Sequence, residues 1–530
     1  MRKFSLWRSG TPSRIFARVC TGIALGIFFF MMLYLSLLSL VQTVDMNMEN
    51  SMLENAVFHY DGFIGGLITL LLGIALLLVY RKLIARVNVW IPIAVSLASV
   101  LVLGIVWVFS SQSAPTHDSW IVSNAAHLAS KGDYSALTQN YFLQFPFQLG
   151  YVLFSELIIR LCGTGDNYLC IEVVNVICLV ISYFAILMMA RKFSKNDNVV
   201  KLLALLLLLC PQPILFCTFT YGNIPGFAFA ALAMWQFLEI GHGVKGWIHA
   251  VLCALCLGLS VCIKKNFTIV LIAILIVGLI RLIRSRRVGD LVCLVLCTVS
   301  VLSLPAAAQA HYERRANFDF GEGIPMISWM AMGLNESYIA PGWYSGKYTV
   351  TNFHSHEKDP DAAAEASKEV ILERLDVFKE DEVYAKDFFA KKIASQWNEP
   401  SYQSIWTNQV RGRYEEPGKL AEWVMGEGEA RTKSYMNGFQ QFIFALSAIG
   451  AIFMMRKRRV ELSLIPIVIL GGFLYHALFE AKSQYAITYF VLMIPLAAYG
   501  LNALYLIVER AWKGRKRRVL PARSPKQKSR

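Results

Sequence analysis

The sequence is dominated by apolar runs of roughly 18–25 residues, the length a helix needs to cross about 30 Å of hydrocarbon. Only helices or closed barrels satisfy every backbone group in lipid. The period-2 alternation of barrel strands is absent from this chain. The expected fold is therefore an all-α integral membrane protein of about twelve transmembrane helices. The runs fall near 19–43, 61–80, 87–110, 168–190, 201–219, 224–240, 247–263, 267–283, 288–308, 438–455, 460–478 and 486–508. One further apolar stretch, 140–163, is interrupted by Pro146, Gln148 and Glu156 and reads as a helix lying at the interface.

Charge gives the orientation. Only 16% of the residues are charged, against about 25% in an ordinary soluble domain. The net charge of +15 is gathered in short basic clusters at the ends of apolar runs: RKLIAR at 81–86, RLIRSRR at 281–287, RKRR at 456–459 and the tail from 513. Cytoplasmic loops carry such clusters, so both termini are expected inside and the polar segment 309–437 outside. No basic groove with interleaved aromatics is present, which excludes a nucleic-acid partner. The expected organisation is a membrane module over 1–308 with an external loop at 111–165, a mostly helical extracytoplasmic segment over 309–437, terminal membrane helices over 438–510 and a basic tail over 511–530. Within the polar segment, 361–397 has helical spacing of apolar residues. The first apolar run lacks a small-residue cleavage site and reads as a span rather than a signal peptide.

Most of the eleven cysteines lie inside apolar runs, where Cys behaves as a small hydrophobe. Cys253 and Cys256 form a C-x-x-C within an expected span and read as no metal site. Cys162 and Cys170 are the pair considered for a disulfide.

This topology puts a set of polar residues at one membrane surface: His117, Asp118, Asp133, Tyr141, Gln148, Tyr221, Asn223, Lys264, Lys265, Glu480, Lys482 and Tyr485, with Trp329, Trp343 and Tyr344 from the polar segment. A phosphate leaves well if cations hold it, and a hydroxyl attacks better if a carboxylate takes its proton. A carboxylate, lysines and aromatics at a lipid headgroup therefore suit sugar transfer from a lipid-linked sugar phosphate. Each residue also has a plainer role. Asp118 opens the expected helix SWIVSNAAHLASKG and is well placed as its N-cap, with Gly132 as the stop. His117 reads as a bystander more than a base. Lys264 and Lys265 are balanced between holding phosphate and snorkelling to the interface. Trp343 and Tyr344 suit an interfacial aromatic belt.

The order HDSWIVSNAAHLASKGDYSAL, then NYFLQFPFQLGYVLFSELIIRLCG, then a span ending in RKF, resembles the polytopic GT-C glycosyltransferases. The branch it resembles contains the protein O-mannosyltransferases and lipid A aminoarabinose transferases. The resemblance places Asp118 at the family's catalytic acid and Gly132-Asp133 at its "GD" pair. KKN at 264–266 falls at its span-end lysine, and FEAKSQY at 479–485 at an acidic, basic-aromatic element. It implies a GT-C-like fold and an inverting transfer from a polyprenyl-phosphate sugar. Asp118 would be the general base, Lys264, Lys265 and Lys482 would hold the donor phosphate, and aromatics of 323–348 would stack on a sugar. The acceptor would be a cell-envelope glycan or a protein. No cofactor is implied, and metal dependence stays open, because Asn223 and Gln144 stand where relatives carry acidic residues. An extra amino-terminal hairpin of spans is also implied. Two other readings stand beside this one: a lipid or polysaccharide transporter or flippase, with charges near mid-span, and a non-catalytic GT-C-like scaffold.

Overall fold

The computed structural model describes residues 12–46, 54–60, 63–163, 168–194, 196–241, 244–285, 288–457 and 459–519. Most of the expected amino-terminal basic stretch before Pro12, and the end of the basic tail from 520, lie outside these. Among the described residues, ten helices are long and apolar enough to cross a membrane. The count is eleven if a pair bent by 47°, Asp197–Leu208 with Gln212–Thr218, is taken as one span. Its break has a local cause: Pro211 and Pro213 stand at the joint and offer no backbone N–H. The remaining expected run is the 17-residue helix Asn223–Glu239. Every apolar run is thus a helix or a broken pair of helices.

The helices are held by close backbone approach. Glu429–Met455 packs along Ser483–Val519, and a Cβ at Gly450 or Gly500 would collide with the carbonyl of Leu496 or Leu446. Burial of apolar surface against lipid gains little, so such small-residue crossings carry membrane helix packing. The outer flank of the first helix, Pro12–Val41, remains open, with Ile23, Ile27 and Phe30 exposed as lipid-facing residues are.

The structure departs from the sequence reading in three places. A two-stranded antiparallel hairpin, Gln42–Met46 with Ala56–Tyr60, follows the first helix. Its Val, Thr, Phe and Tyr residues favour extended backbone, and Val44 N–H donates to the Asn398 carbonyl at 3.1 Å. Helices Val288–Ala316 and Glu429–Met455 run past the expected membrane boundaries; in the first, Ala, Gln, Glu and Arg of AQAHYERRA favour helix. None of the eleven cysteines is in a disulfide, so Cys162 and Cys170 are not joined.

The interfacial stretch breaks where Pro146 interrupts it, into Asn140–Gln144, a tight turn over Pro146–Gln148, and Leu149–Cys162. The last piece has 14 residues, about 21 Å of helix at 1.5 Å per residue, too short to cross. In the polar segment, Pro360–Glu380 and Glu382–Trp397 form two helices capped by Asp359 and Asp381.

Candidate active site

Helix His117–Ser130 presents Asp118 in its first turn. The cap of this helix is Thr116, not Asp118: Ser119 Oγ donates to the Thr116 carbonyl at 2.7 Å and accepts from its N–H at 3.1 Å. The far end closes as expected at Gly132, with φ +88°. Asp133 N–H reaches the Leu128 carbonyl and Gly132 N–H that of Ala129, both at 3.0 Å. His117 has φ +48°, a backbone state uncommon for a residue with a side chain. The Asp118 side chain is exposed and has no capping duty.

Asp118 meets the rest of the site through Tyr221, which lies in the turn before Asn223–Glu239. That turn needs Gly222 at φ +82°, packed against the Ile263 carbonyl and the Tyr151 ring. The Tyr221 hydroxyl lies 3.3 Å from Asp118 Oδ2, 3.0 Å from the Tyr141 hydroxyl and 2.6 Å from Gln148 Nε2. An amide N–H can only donate and a carboxylate only accept. Tyr221 therefore accepts from Gln148 and Tyr141 and gives its one proton to Asp118. Burial pushes the Tyr221 phenol well above its ordinary range, so that proton stays in place.

Lys264 comes to the same tyrosine from the turn after Val244–Ile263. Its Nζ stands 4.0 Å from the centre of the Tyr221 ring, 3.4 Å from the Tyr221 carbonyl and 6.0 Å from the centre of the Tyr485 ring. It is only 9% exposed, and no carboxylate lies within ion-pair distance of it among the described residues. Burial lowers its pKa to about 7, and the charges of Asp118 and Glu480 only partly oppose this. The Tyr485 hydroxyl donates to Glu480 Oε2 at 3.1 Å. Burial pushes the Glu480 carboxyl up to about 7 against the pull of Lys482. Tyr344, half-buried, lies in the electrostatic reach of both Asp118 and Glu480.

The structure thus brings together Asp118, Tyr141, Gln148, Tyr221, Lys264, Tyr344, Glu480, Lys482 and Tyr485. The other expected residues sit apart or are otherwise engaged. Lys265 is exposed beside the Phe147 ring, 5.8 Å from its centre. Asp133 caps its own turn, accepting from the Ser135 N–H at 2.9 Å, and this bond lowers its pKa. His117 is exposed, and Trp329 packs on Phe145. Asn223 is buried, with its Oδ1 unpaired. Trp343 is fully enclosed and donates to Ser395 Oγ at 2.8 Å, so its ring offers no face to a sugar.

Sequence reading missed the residues that arrive from far along the chain. Glu54, beside the hairpin, pairs with Lys482 and accepts from Gln403 Nε2 at 3.1 Å. Lys482 is therefore neutralised within the protein. Lys392, buried, donates to the carbonyls of Gly333 and Phe479 and pins the loop that carries Glu480. A charged residue beside a span end was the one available signal, and it marks Glu54 no more than its neighbours.

A family model described as "conserved hypothetical integral membrane protein" matches residues 16–504. The chain belongs to that family. No curated protein matches the sequence. Among solved structures, the chain is similar to the oligosaccharyltransferase AglB of Archaeoglobus fulgidus, in complex with an inhibitory peptide and a dolichol-phosphate. That match has 15% identity and a TM-score of 0.40, covering 81% of this chain and 52% of that one. The chain thus spans about half the length of the archaeal structure. It is also similar to ArnT from Cupriavidus metallidurans bound to undecaprenyl phosphate, at 12% identity and a TM-score of 0.33, covering 80% of this chain and 79% of that one.

Proposed function

We propose that the protein is a membrane glycosyltransferase of the GT-C type that moves a sugar from a polyprenyl-phosphate donor to a hydroxyl acceptor, a cell-envelope glycan or a protein, on the extracytoplasmic side. One observation carries this reading. An exposed carboxylate, Asp118, and a buried lysine without a carboxylate partner, Lys264, meet on a single tyrosine. A buried cation lacking an ion pair is costly unless an anion arrives to meet it. A carboxylate free of capping and ion pairs is free to take a proton. The motif order of 111–165 and the span-end lysine support the same reading.

In this scheme the acceptor oxygen attacks the anomeric carbon from the side opposite the phosphate. The carbon–oxygen bond to the acceptor forms as the bond to the phosphate breaks. Asp118 takes the acceptor proton, and the departing lipid phosphate leaves onto Lys264. Lys482 is set aside from this role, since Glu54 already neutralises it. Tyr221 fixes the Asp118 carboxylate, and Tyr141 and Gln148 fix Tyr221. The test is transfer from a polyprenyl-phosphate sugar by purified protein in lipid nanodiscs, with Asp118→Asn and Lys264→Ala beside the parent. No transfer by the parent to any hydroxyl acceptor, with export of intact lipid-linked glycan from vesicles instead, would establish the transporter reading.

A further inference from the structure

The bundle holds a second constellation, remote in sequence from the site above. Cys253, in helix Val244–Ile263, faces Cys293 and Cys297, one turn apart in helix Val288–Ala316. All three side chains are fully buried. Cys253 Sγ and Cys297 Sγ are 3.6 Å apart, Cys293 Sγ and Cys297 Sγ 3.8 Å, and all three lie within 4.8 Å of one another. Cys256, which completes the C-x-x-C with Cys253, is not part of the group. The C-x-x-C was read as no metal site, and the set comes instead from the packing of two helices.

We propose that Cys253, Cys293 and Cys297 form a binding site for a soft monovalent metal ion, copper(I), inside the membrane bundle. Thiolates around one ion at about 2.3 Å sit about 3.8–4.0 Å from one another, and the observed separations need only small adjustment to reach this. Soft thiolate ligands select copper(I) or zinc. Closed zinc sites take four ligands, and this group offers three among the described residues. A three-sulfur site in an apolar surround suits copper(I).

Charge points the same way. Copper(I) with two thiolates and one thiol carries a single negative charge, less than three thiolates would bring into lipid. Two thiol protons leave to solvent as the ion binds. The Arg281 guanidinium lies within electrostatic range of Cys293 and is held by the carbonyl of Phe237 at 2.9 Å and by Asp290 at 2.8 Å. Cys293 is the sixth residue of its helix, about 7.5 Å from the helix start at 1.5 Å per residue, so the entry path is short. That end carries the basic cluster RLIRSRR and is read as cytoplasmic, where thiols stay reduced.

The experiment uses the full chain, purified in detergent under anaerobic reducing conditions. Copper(I) is titrated against a chromophoric copper(I) chelator, and X-ray absorption is recorded on the loaded parent. We expect one copper per chain in an all-sulfur shell at about 2.3 Å. Cys253→Ser, Cys293→Ser and Cys297→Ser should each weaken binding by about tenfold or more, since loss of a ligand exceeds loss of an outer-sphere partner. Cys256→Ser should bind as the parent does. A nitrogen or oxygen shell in the parent overturns the proposal without recourse to any variant. So does equal loss in Cys256→Ser, or a Cys253–Cys297 disulfide in protein isolated with its thiols trapped at lysis.

Discussion

At the scale of single residues, the question is what frees Asp118. Thr116 and Ser119 close the helix start between them, so the cap does not rest on the Asp118 side chain. Ser119→Ala, which removes both bonds, should cost about 1 kcal/mol, the usual loss for a helix cap, and lower the melting temperature. Asp118→Asn should leave melting unchanged while transfer falls by about 10²-fold or more, the scale of a lost general base. Equal melting shifts in the two variants would return Asp118 to a structural role. Lys264 makes a second prediction, through pH. With its pKa lowered to about 7, it is charged below that value and neutral above it. Only the charged form holds a phosphate, so kcat/KM for the donor should fall as pH rises through neutrality. Glu480, Asp118 and Lys482 face the same space, and Glu480 titrates at about 7 as well, so the profile alone does not assign the group. Lys264→Arg stays charged at every accessible pH and should remove the alkaline fall while lowering the overall rate. An unchanged fall in that variant would assign the titration to Glu480. Asp118, Tyr221, Lys264 and Glu480 could be picked out as candidates because they sit at span or helix ends, where polar residues stand out against apolar runs. Glu54 and Lys392 were not, since only the fold brings them in from other segments. Trp343 misled because an aromatic in a polar segment resembles a binding platform until its burial is seen.

At the scale of elements, apolar length picked out the long apolar helices but counted about twelve spans, where ten helices, or eleven with the bent pair, are long and apolar enough among the described residues; what it missed has physical causes. The hairpin strands have five residues each, and neither QTVDM nor AVFHY sustains the apolar–polar alternation that marks a strand. The 47° bend at Pro211–Pro213 lies within one continuous apolar run. The overrun of Val288–Ala316 follows helix propensity, which continues after hydrophobicity stops. Tight crossings are likewise invisible to hydropathy, and they give a test of what holds the bundle. Gly500→Val sets a side chain against the Leu446 carbonyl and should cost about 1–3 kcal/mol, the range for overpacking. Gly22→Ala, with nothing within 4 Å of the new methyl, should be neutral or slightly stabilising. Melting of both variants in one detergent checks the contrast. Equal stability would mean that the crossing of Glu429–Met455 with Ser483–Val519 is looser than these contacts imply.

At the scale of the whole molecule, the proposed reaction depends on which side of the membrane the site faces. The hydroxyl network, Lys264 and the loop at Glu480 lie at the same end of the bundle as the polar segment, since Lys392 of that segment bonds the Phe479 carbonyl. The basic ends RLIRSRR and RKRR mark the opposite ends of their spans. Positive clusters stay in the cytoplasm, so the site and the polar segment should face outward together. A cysteine placed at Asp361, in the exposed first turn of helix Pro360–Glu380, should react with a membrane-impermeant maleimide in intact cells. The parent chain supplies the background from its own thiols, of which Cys162 is exposed. Labelling at 361 above that background in intact cells would place Asp118 and Lys264 where a lipid-linked donor meets an external acceptor. Labelling only after the cells are broken open would place the same network in the cytoplasm, where a nucleotide-sugar rather than a polyprenyl-phosphate donor would have to be considered.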